Sequence, residues 1–132
     1  MNIRSKQSFF RSRDFACISL LFVVALLLRF PFVAHPNMTM FDELIYKSYI
    51  TRTILGEPTF VIHPPLAKLL FVNVAEHYGV PLTQNNEKAM QPFGEFPYVP
   101  LRELVALFGA LLPLCVYGIG RKIGYSELAS LI

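Results

Sequence analysis

Two short segments carry side chains whose types could do chemistry together. The first is Met40-Phe41-Asp42-Glu43, which holds two adjacent carboxylates, and the second runs from His63 to Lys68. A carboxylate can act as a general base or bind a metal, and a cation at the start of a helix is a suitable partner for phosphate. The pattern therefore combines a candidate base with candidate anion-binding groups.

Each of these side chains also has an ordinary structural interpretation. Asp42 falls in the first turn of a predicted helix, where the helix dipole favours an acid, and Glu43 could pair with Lys47 one turn later. His63 precedes two prolines and could simply hydrogen-bond to nearby backbone. Because successive helical residues point ~100° apart, we expect the two carboxylates to have separate roles rather than to share one proton.

Two further cations could bind a phosphate. Lys68 lies in the first turn of a predicted helix, where the dipole disfavours a cation, so an anionic ligand would compensate. Arg102 lies at the start of an apolar segment and could equally be an interfacial arginine that snorkels to water. The sequence has no zinc-ligand spacing, phosphate-binding glycine loop or Ser-His-Asp signature. It assigns no cofactor and no metal ligands, and a divalent cation stays an open alternative.

Apolar residues form 54% of the 132-residue chain and fall in two blocks long enough to cross a membrane. We predict transmembrane helices at 16–34 and 100–120. A cleaved signal peptide is the alternative for the first block, but the bulky Phe32 stands where the cleavage pattern requires a small residue. Cys17 and Cys115 fall inside the two blocks, so we expect neither a disulfide nor a zinc site.

Basic residues set the expected orientation of these helices. They cluster in residues 1–15 and again in 121–126, and cytosolic segments are enriched in such residues. We therefore predict a cytosolic N-terminus and an extracytosolic loop over 35–99. Within this loop we predict helices at about 40–55 and 65–78, the first of which lies on the membrane surface.

The apolar run at 127–132 is expected to begin a third transmembrane helix, so we interpret the chain as the N-terminal fragment of a larger protein. The predicted fold class is all-α, a multi-span helical membrane protein. No basic surface with interleaved aromatic residues is evident, so nucleic acid is not an expected partner.

Three motifs, taken in order, resemble a known family. They are Phe41-Asp42-Glu43, then His63-Pro64-Pro65-Leu66-Ala67-Lys68-Leu69-Leu70, then Pro97-Tyr98 followed by Arg102. This arrangement resembles the N-terminal part of the protein O-mannosyltransferases, which are membrane glycosyltransferases of the GT-C type. The resemblance implies transfer of mannose from a polyprenyl-phosphate lipid to protein Ser or Thr hydroxyls. The expected location is the bacterial plasma membrane or the endoplasmic reticulum.

The resemblance also implies roles for individual residues. Asp42 would be the general base that activates the acceptor hydroxyl, and Glu43 would help to position the acceptor. Arg102 is the candidate contact for the lipid phosphate, and we add Lys68 to that site because of its position. His63 completes the expected substrate-binding set. A leaving phosphate requires cations rather than an acid, which agrees with this assignment.

Two other functions stay open at this point. One is a related GT-C transferase that modifies a lipid or glycan with another sugar, again with an acidic residue in the outer loop. The other is a non-catalytic membrane anchor or assembly subunit. A coding sequence that continues past Ile132 with further spans would favour a transferase.

Overall fold

The structure, a computed structural model, describes residues 12–60, 65–81 and 88–131. These residues form helices and no strand, which confirms the predicted all-α class. The helices are α1 (Ser12–Arg29), α2 (Phe41–Ile54), α3 (Pro65–Tyr78) and α4 (Tyr98–Lys122), with short 3₁₀ turns at Phe30–Phe32 and Leu128–Ser130. The segments Ser12–Phe32 and Tyr98–Lys122 are long and apolar enough to cross a membrane.

The ends of both long helices differ from the predicted spans for local reasons. α1 ends at Arg29 because Pro31 disfavours helical backbone at the residue before it, and a 3₁₀ turn follows. α4 begins at Tyr98, two residues before Pro100. A proline is tolerated there because the first-turn N–H groups of a helix have no intrahelical acceptor.

The chain divides into two compact units, and the first comprises Met1–Pro31 and Ala106–Ile132. In this unit the carboxylate of Asp14 is completely buried. It accepts hydrogen bonds from the Tyr117 hydroxyl at 2.8 Å and from Arg121 Nε at 2.6 Å. This network joins the start of α1 to the last turns of α4. The described part of the predicted third span is the 3₁₀ turn, so the span itself stays a prediction.

The Asp14 network leads to a stability prediction. Replacing Arg121 by Gln leaves the buried carboxylate of Asp14 without its cation, which is expected to destabilise the fold. The detergent-purified full-length protein should therefore unfold at a clearly lower Tm. Lys122→Gln is the matched control, because Lys122 is the next residue and is exposed. Equal Tm values for the two variants would show that the buried ion pair contributes little.

The second unit, Phe32–Val105, is built on the packing of α2 against α3. Its buried core joins both helices to the first turn of α4 and the residues just before it, and it consists of Ile50, Val72, Ala75, Phe96, Tyr98 and Leu101. Aromatic contacts extend this core, since the rings of Tyr46 and Phe71 meet edge to face at 5.1 Å. The core therefore fixes α2, which carries both of the carboxylates singled out in the sequence.

Candidate functional site

The start of α2 is fixed by Glu43. Met40 is the N-cap residue, so Phe41, Asp42 and Glu43 are the first three helical residues. The backbone N–H of Met40 donates to Glu43 Oε2 at 2.6 Å, and the N–H of Glu43 donates to the Met40 carbonyl at 3.1 Å. The Glu43 side chain thus closes the helix start from inside the first turn, as in a capping box.

Arg102 holds the same carboxylate together with the chain that leads into α2. Its Nε and one terminal nitrogen donate to the two oxygens of Glu43, a fork geometry that only arginine provides. The terminal nitrogens also donate to the carbonyls of Pro36 and Met38, both at 2.9 Å, and of Val33 at 3.3 Å. The Arg102 and Glu43 side chains are only 15% and 18% exposed. Arg102 therefore organises the whole link from Val33 to Glu43.

Aromatic packing supports this ion pair. The guanidinium carbon of Arg102 lies 4.8 Å from the centre of the Phe93 ring, in cation–π distance. Phe93 stacks on Tyr98, which also packs against Phe96. Since Tyr98 and Phe96 belong to the buried core, the position of Arg102 is coupled to that core.

Thr39 ties a second loop to the residues just before α2. Its backbone N–H donates to the Gln91 carbonyl, and its carbonyl accepts from the N–H of Met90, both at 2.8 Å. Its hydroxyl lies within hydrogen-bond distance of the carbonyls of Lys88, at 3.2 Å, and Gln91, at 3.3 Å. Thr39 is almost completely buried, so this clasp fixes residues 88–91 beside the helix start.

Asp42 differs from Glu43 in its exposure, its hydrogen bonds and its ion pairing. It is exposed, and in the described residues it takes part in no hydrogen bond or ion pair. It nevertheless sits on a backbone that the Glu43–Arg102 pair holds in place. An unpaired carboxylate on a fixed helix start is available to accept a proton from a bound hydroxyl group.

Lys68 lies in a separate cavity of about 380 Å³ between α2 and the start of α3. The Lys68 side chain is buried, with Nζ 4.7 Å from the centre of the Tyr49 ring. Neither Asp42 nor Arg102 lines this cavity, so the structure does not join the three predicted site residues around one space. The lining residues are Leu44, Ile45, Ser48, Tyr49, Arg52, Thr59, Phe60 and Lys68.

His63 lies outside the described residues. Across residues 12–60, 65–81 and 88–131, no group of three His, Cys, Asp or Glu side chains is arranged to hold a metal ion. The free thiols of Cys17 and Cys115 belong to α1 and α4 and take no part in the site.

The sequence did not indicate which cations pair with which acids. Glu43 pairs with Arg102, which is 59 residues away, while Lys47 is buried with Nζ 5.5 Å from the Phe96 ring. Arg52 was not singled out, although it lies in the same cavity as Lys68. Helical spacing could have indicated Arg52, because it falls one turn after Ser48 on the same face of α2.

Comparison with protein families places nearly the whole chain in one group. The family profile described as dolichyl-phosphate-mannose-protein mannosyltransferase matches residues 19–132. Dolichyl-phosphate-mannose–protein mannosyltransferase 4 of Schizosaccharomyces pombe is 31% identical over 119 residues, which cover 86% of this chain and 15% of that protein. Protein O-mannosyltransferase 1 of Drosophila melanogaster is 33% identical over 75% of this chain and 11% of its own length.

A solved structure is also similar. It is the protein O-mannosyltransferase Pmt1-Pmt2 complex of Saccharomyces cerevisiae bound to the sugar donor. The match has a TM-score of 0.82 and 28% sequence identity, and it covers 92% of this chain but 17% of that chain. The present chain therefore spans less than a fifth of the length of each of these relatives, and it shares their helical membrane fold.

Proposed function

Because this chain belongs to the dolichyl-phosphate-mannose–protein mannosyltransferase family, we propose that it forms the N-terminal part of a membrane glycosyltransferase. The enzyme moves mannose from a polyprenyl-phosphate carrier to Ser or Thr hydroxyls of proteins. The observation that carries this proposal is the exposed carboxylate of Asp42 on a helix start that Glu43 and Arg102 hold in place.

In the proposed reaction, the acceptor hydroxyl oxygen attacks the anomeric carbon of mannose. The bond from that carbon to the phosphate oxygen breaks, and its electron pair stays on the phosphate, which leaves as a polyprenyl phosphate. Asp42 takes the hydroxyl proton as general base, which raises the nucleophilicity of the oxygen as the new bond forms. The leaving group gains negative charge, so nearby cations stabilise it.

The other predicted residues divide between positioning and binding. Glu43 acts on the acceptor side by fixing the backbone that presents Asp42, in agreement with its capping hydrogen bond. The guanidinium of Arg102 donates hydrogen bonds to Glu43 and to three backbone carbonyls. This favours a positioning role for Arg102 over direct contact with the lipid phosphate. Lys68 has no carboxylate partner in the described residues and is the better candidate for the phosphate. His63 stays a predicted substrate contact.

The proposed setting is the endoplasmic reticulum membrane, in agreement with the eukaryotic relatives. The N-terminus and residues 121–126 face the cytosol, and the loop with α2 and α3 faces the lumen. Basic residues at both predicted cytosolic segments support this orientation. A lumenal loop beside the membrane gives Asp42 access to both a lipid-linked donor and a translocated protein acceptor.

Activity of the complete protein tests this proposal. The full-length enzyme, purified in detergent with lipid, is expected to transfer radiolabelled mannose from polyprenyl-phosphate mannose to a Ser/Thr peptide. The same peptide with Ala at its hydroxyl positions is the control and should receive none. Transfer from an aminosugar donor, or to a lipid acceptor in place of the peptide, would instead indicate a different GT-C transferase.

A further inference from the structure

We propose that Arg52 is a second cation of the leaving-phosphate site and acts together with Lys68 in the cavity between α2 and α3. The ligand class is a lipid phosphate monoester, the form in which the carrier leaves after sugar transfer. This inference rests on the proposed function, and it assigns a role to a residue that neither the motifs nor the family resemblance singled out.

The cavity has the composition that such a ligand requires. Lys68 is only 7% exposed, and in the described part of the chain no carboxylate lies within ion-pair distance of it. A buried ammonium group without a counter-ion is unfavourable, so a bound anion would stabilise it. Lys68 also lies in the first turn of α3, where the partial positive charge of the helix adds to its own.

Arg52 lines this cavity, and its guanidinium is engaged only in one long, exposed ion pair. Its Nε lies 3.7 Å from Glu57 Oε2, which is too long for a hydrogen bond, and the two side chains are 52% and 44% exposed. An exposed ion pair of this length contributes little and exchanges readily for a better acceptor. In the described residues the guanidinium has no other partner, so its donors are available to a phosphate.

The rest of the lining fits a phosphate that is attached to a lipid. The hydroxyls of Ser48 and Thr59 can donate to phosphate oxygens, and Leu44, Ile45 and Phe60 form an apolar wall. Phe60 is almost fully exposed, so an isoprenoid chain beside it would remove apolar surface from water. A free phosphate ion would gain only the polar half of these contacts.

The chemistry of the reaction explains why two cations are useful. The donor is a phosphate diester with one negative charge. When the bond from mannose to the phosphate oxygen breaks, the oxygen keeps the electron pair and the carrier becomes a monoester with a second ionisable charge, while Asp42 takes the proton of the acceptor. A cation that meets only the second charge stabilises the product side more than the bound donor and so lowers the barrier.

Binding of product and donor to the full-length protein tests this role. A short-chain polyprenyl phosphate should bind Arg52→Gln roughly tenfold to hundredfold more weakly than wild type, the range for loss of one charge-assisted hydrogen bond. Binding of the mannosyl diester should change by less than about threefold, because it lacks the second charge. Lys88→Gln, at an exposed lysine that does not line the cavity, is the matched control and should bind both ligands normally.

Two further arms separate the outcomes. Inorganic phosphate at the same concentration should compete only weakly with the polyprenyl phosphate for binding, since it lacks the lipid. Equal competition would show that the cavity binds anions without recognising the lipid, and would overturn the lipid phosphate as its ligand. Equal weakening of product and donor, or unchanged product binding, would overturn the role of Arg52 while mannose transfer by wild type upholds the proposed function. Absence of transfer by wild type would overturn both.

Discussion

Replacing Asp42 by Asn is expected to abolish mannose transfer by the full-length enzyme while its abundance and membrane insertion stay normal. Asn keeps the size of the side chain but cannot take the acceptor proton, and general-base catalysis typically contributes about 100-fold to 10,000-fold. Asp42 is exposed and takes part in no hydrogen bond or ion pair in the described residues, so its loss should not disturb folding. The rate of peptide mannosylation and the amount of inserted protein are the quantities to measure.

The matched control for this variant is Glu76→Gln. Glu76 is an exposed acid on the neighbouring helix α3, so the substitution removes one negative charge from a helix other than α2. Normal activity of the control with lost activity at Asp42 would separate a local chemical role from a general effect of surface charge. Near-normal transfer by Asp42→Asn would remove Asp42 from the mechanism.

Replacing Arg102 by Ala is expected to cause a comparable loss of activity for a different reason. The change removes the fork on Glu43 and three backbone contacts, so the link from Val33 to Glu43 loses its organiser. Leaving the largely buried Glu43 carboxylate unpaired is expected to cost on the order of 3 kcal/mol. Mannose transfer should fall, and hydrogen exchange of residues 33–43 should become faster.

A double-mutant cycle with Glu43→Gln provides the control for Arg102. Since the two side chains act as one unit, the double variant should lose little more than Arg102→Ala alone. Arg102→Lys should rescue poorly, because an ammonium group cannot form the two-pronged contact. Unchanged hydrogen exchange together with a selective loss of donor affinity would contradict the positioning role and support the lipid-phosphate contact that the family resemblance implies.

The sequence predicted the features that depend on neighbouring residues. The all-α class follows from apolar blocks of membrane-spanning length and from helix-start residues, and the family follows from three short motifs that can be recognised in order. For the loop we predicted helices at about 40–55 and 65–78, and the structure has α2 at Phe41–Ile54 and α3 at Pro65–Tyr78. These signals are local, because capping and proline chemistry act over a few residues.

Long-range pairings could not be predicted in the same way. The Glu43–Arg102 pair joins residues 59 positions apart, and the nearer Lys47 offered an equally plausible helical partner. α3 posed a related problem, since it is apolar on most sides and periodicity does not select its buried face. Leu66 and Leu69 are exposed, whereas the cationic Lys68 is buried against Tyr49. The cavity at Lys68 forms because the face of α3 that carries Lys68 is the one buried against α2.

The central claim is that Asp42 acts as the general base while Glu43 holds the first turn of α2 in place. It can be tested by isolating the chemical step. Full-length Asp42→Asn should be loaded with radiolabelled polyprenyl-phosphate mannose and then mixed with excess Ser/Thr peptide for a single turnover. We predict normal donor loading, since Asp42 does not line the cavity of Lys68 and Arg52, with transfer slowed by at least ~100-fold. Single-turnover transfer at the wild-type rate from a normally loaded donor would contradict the account.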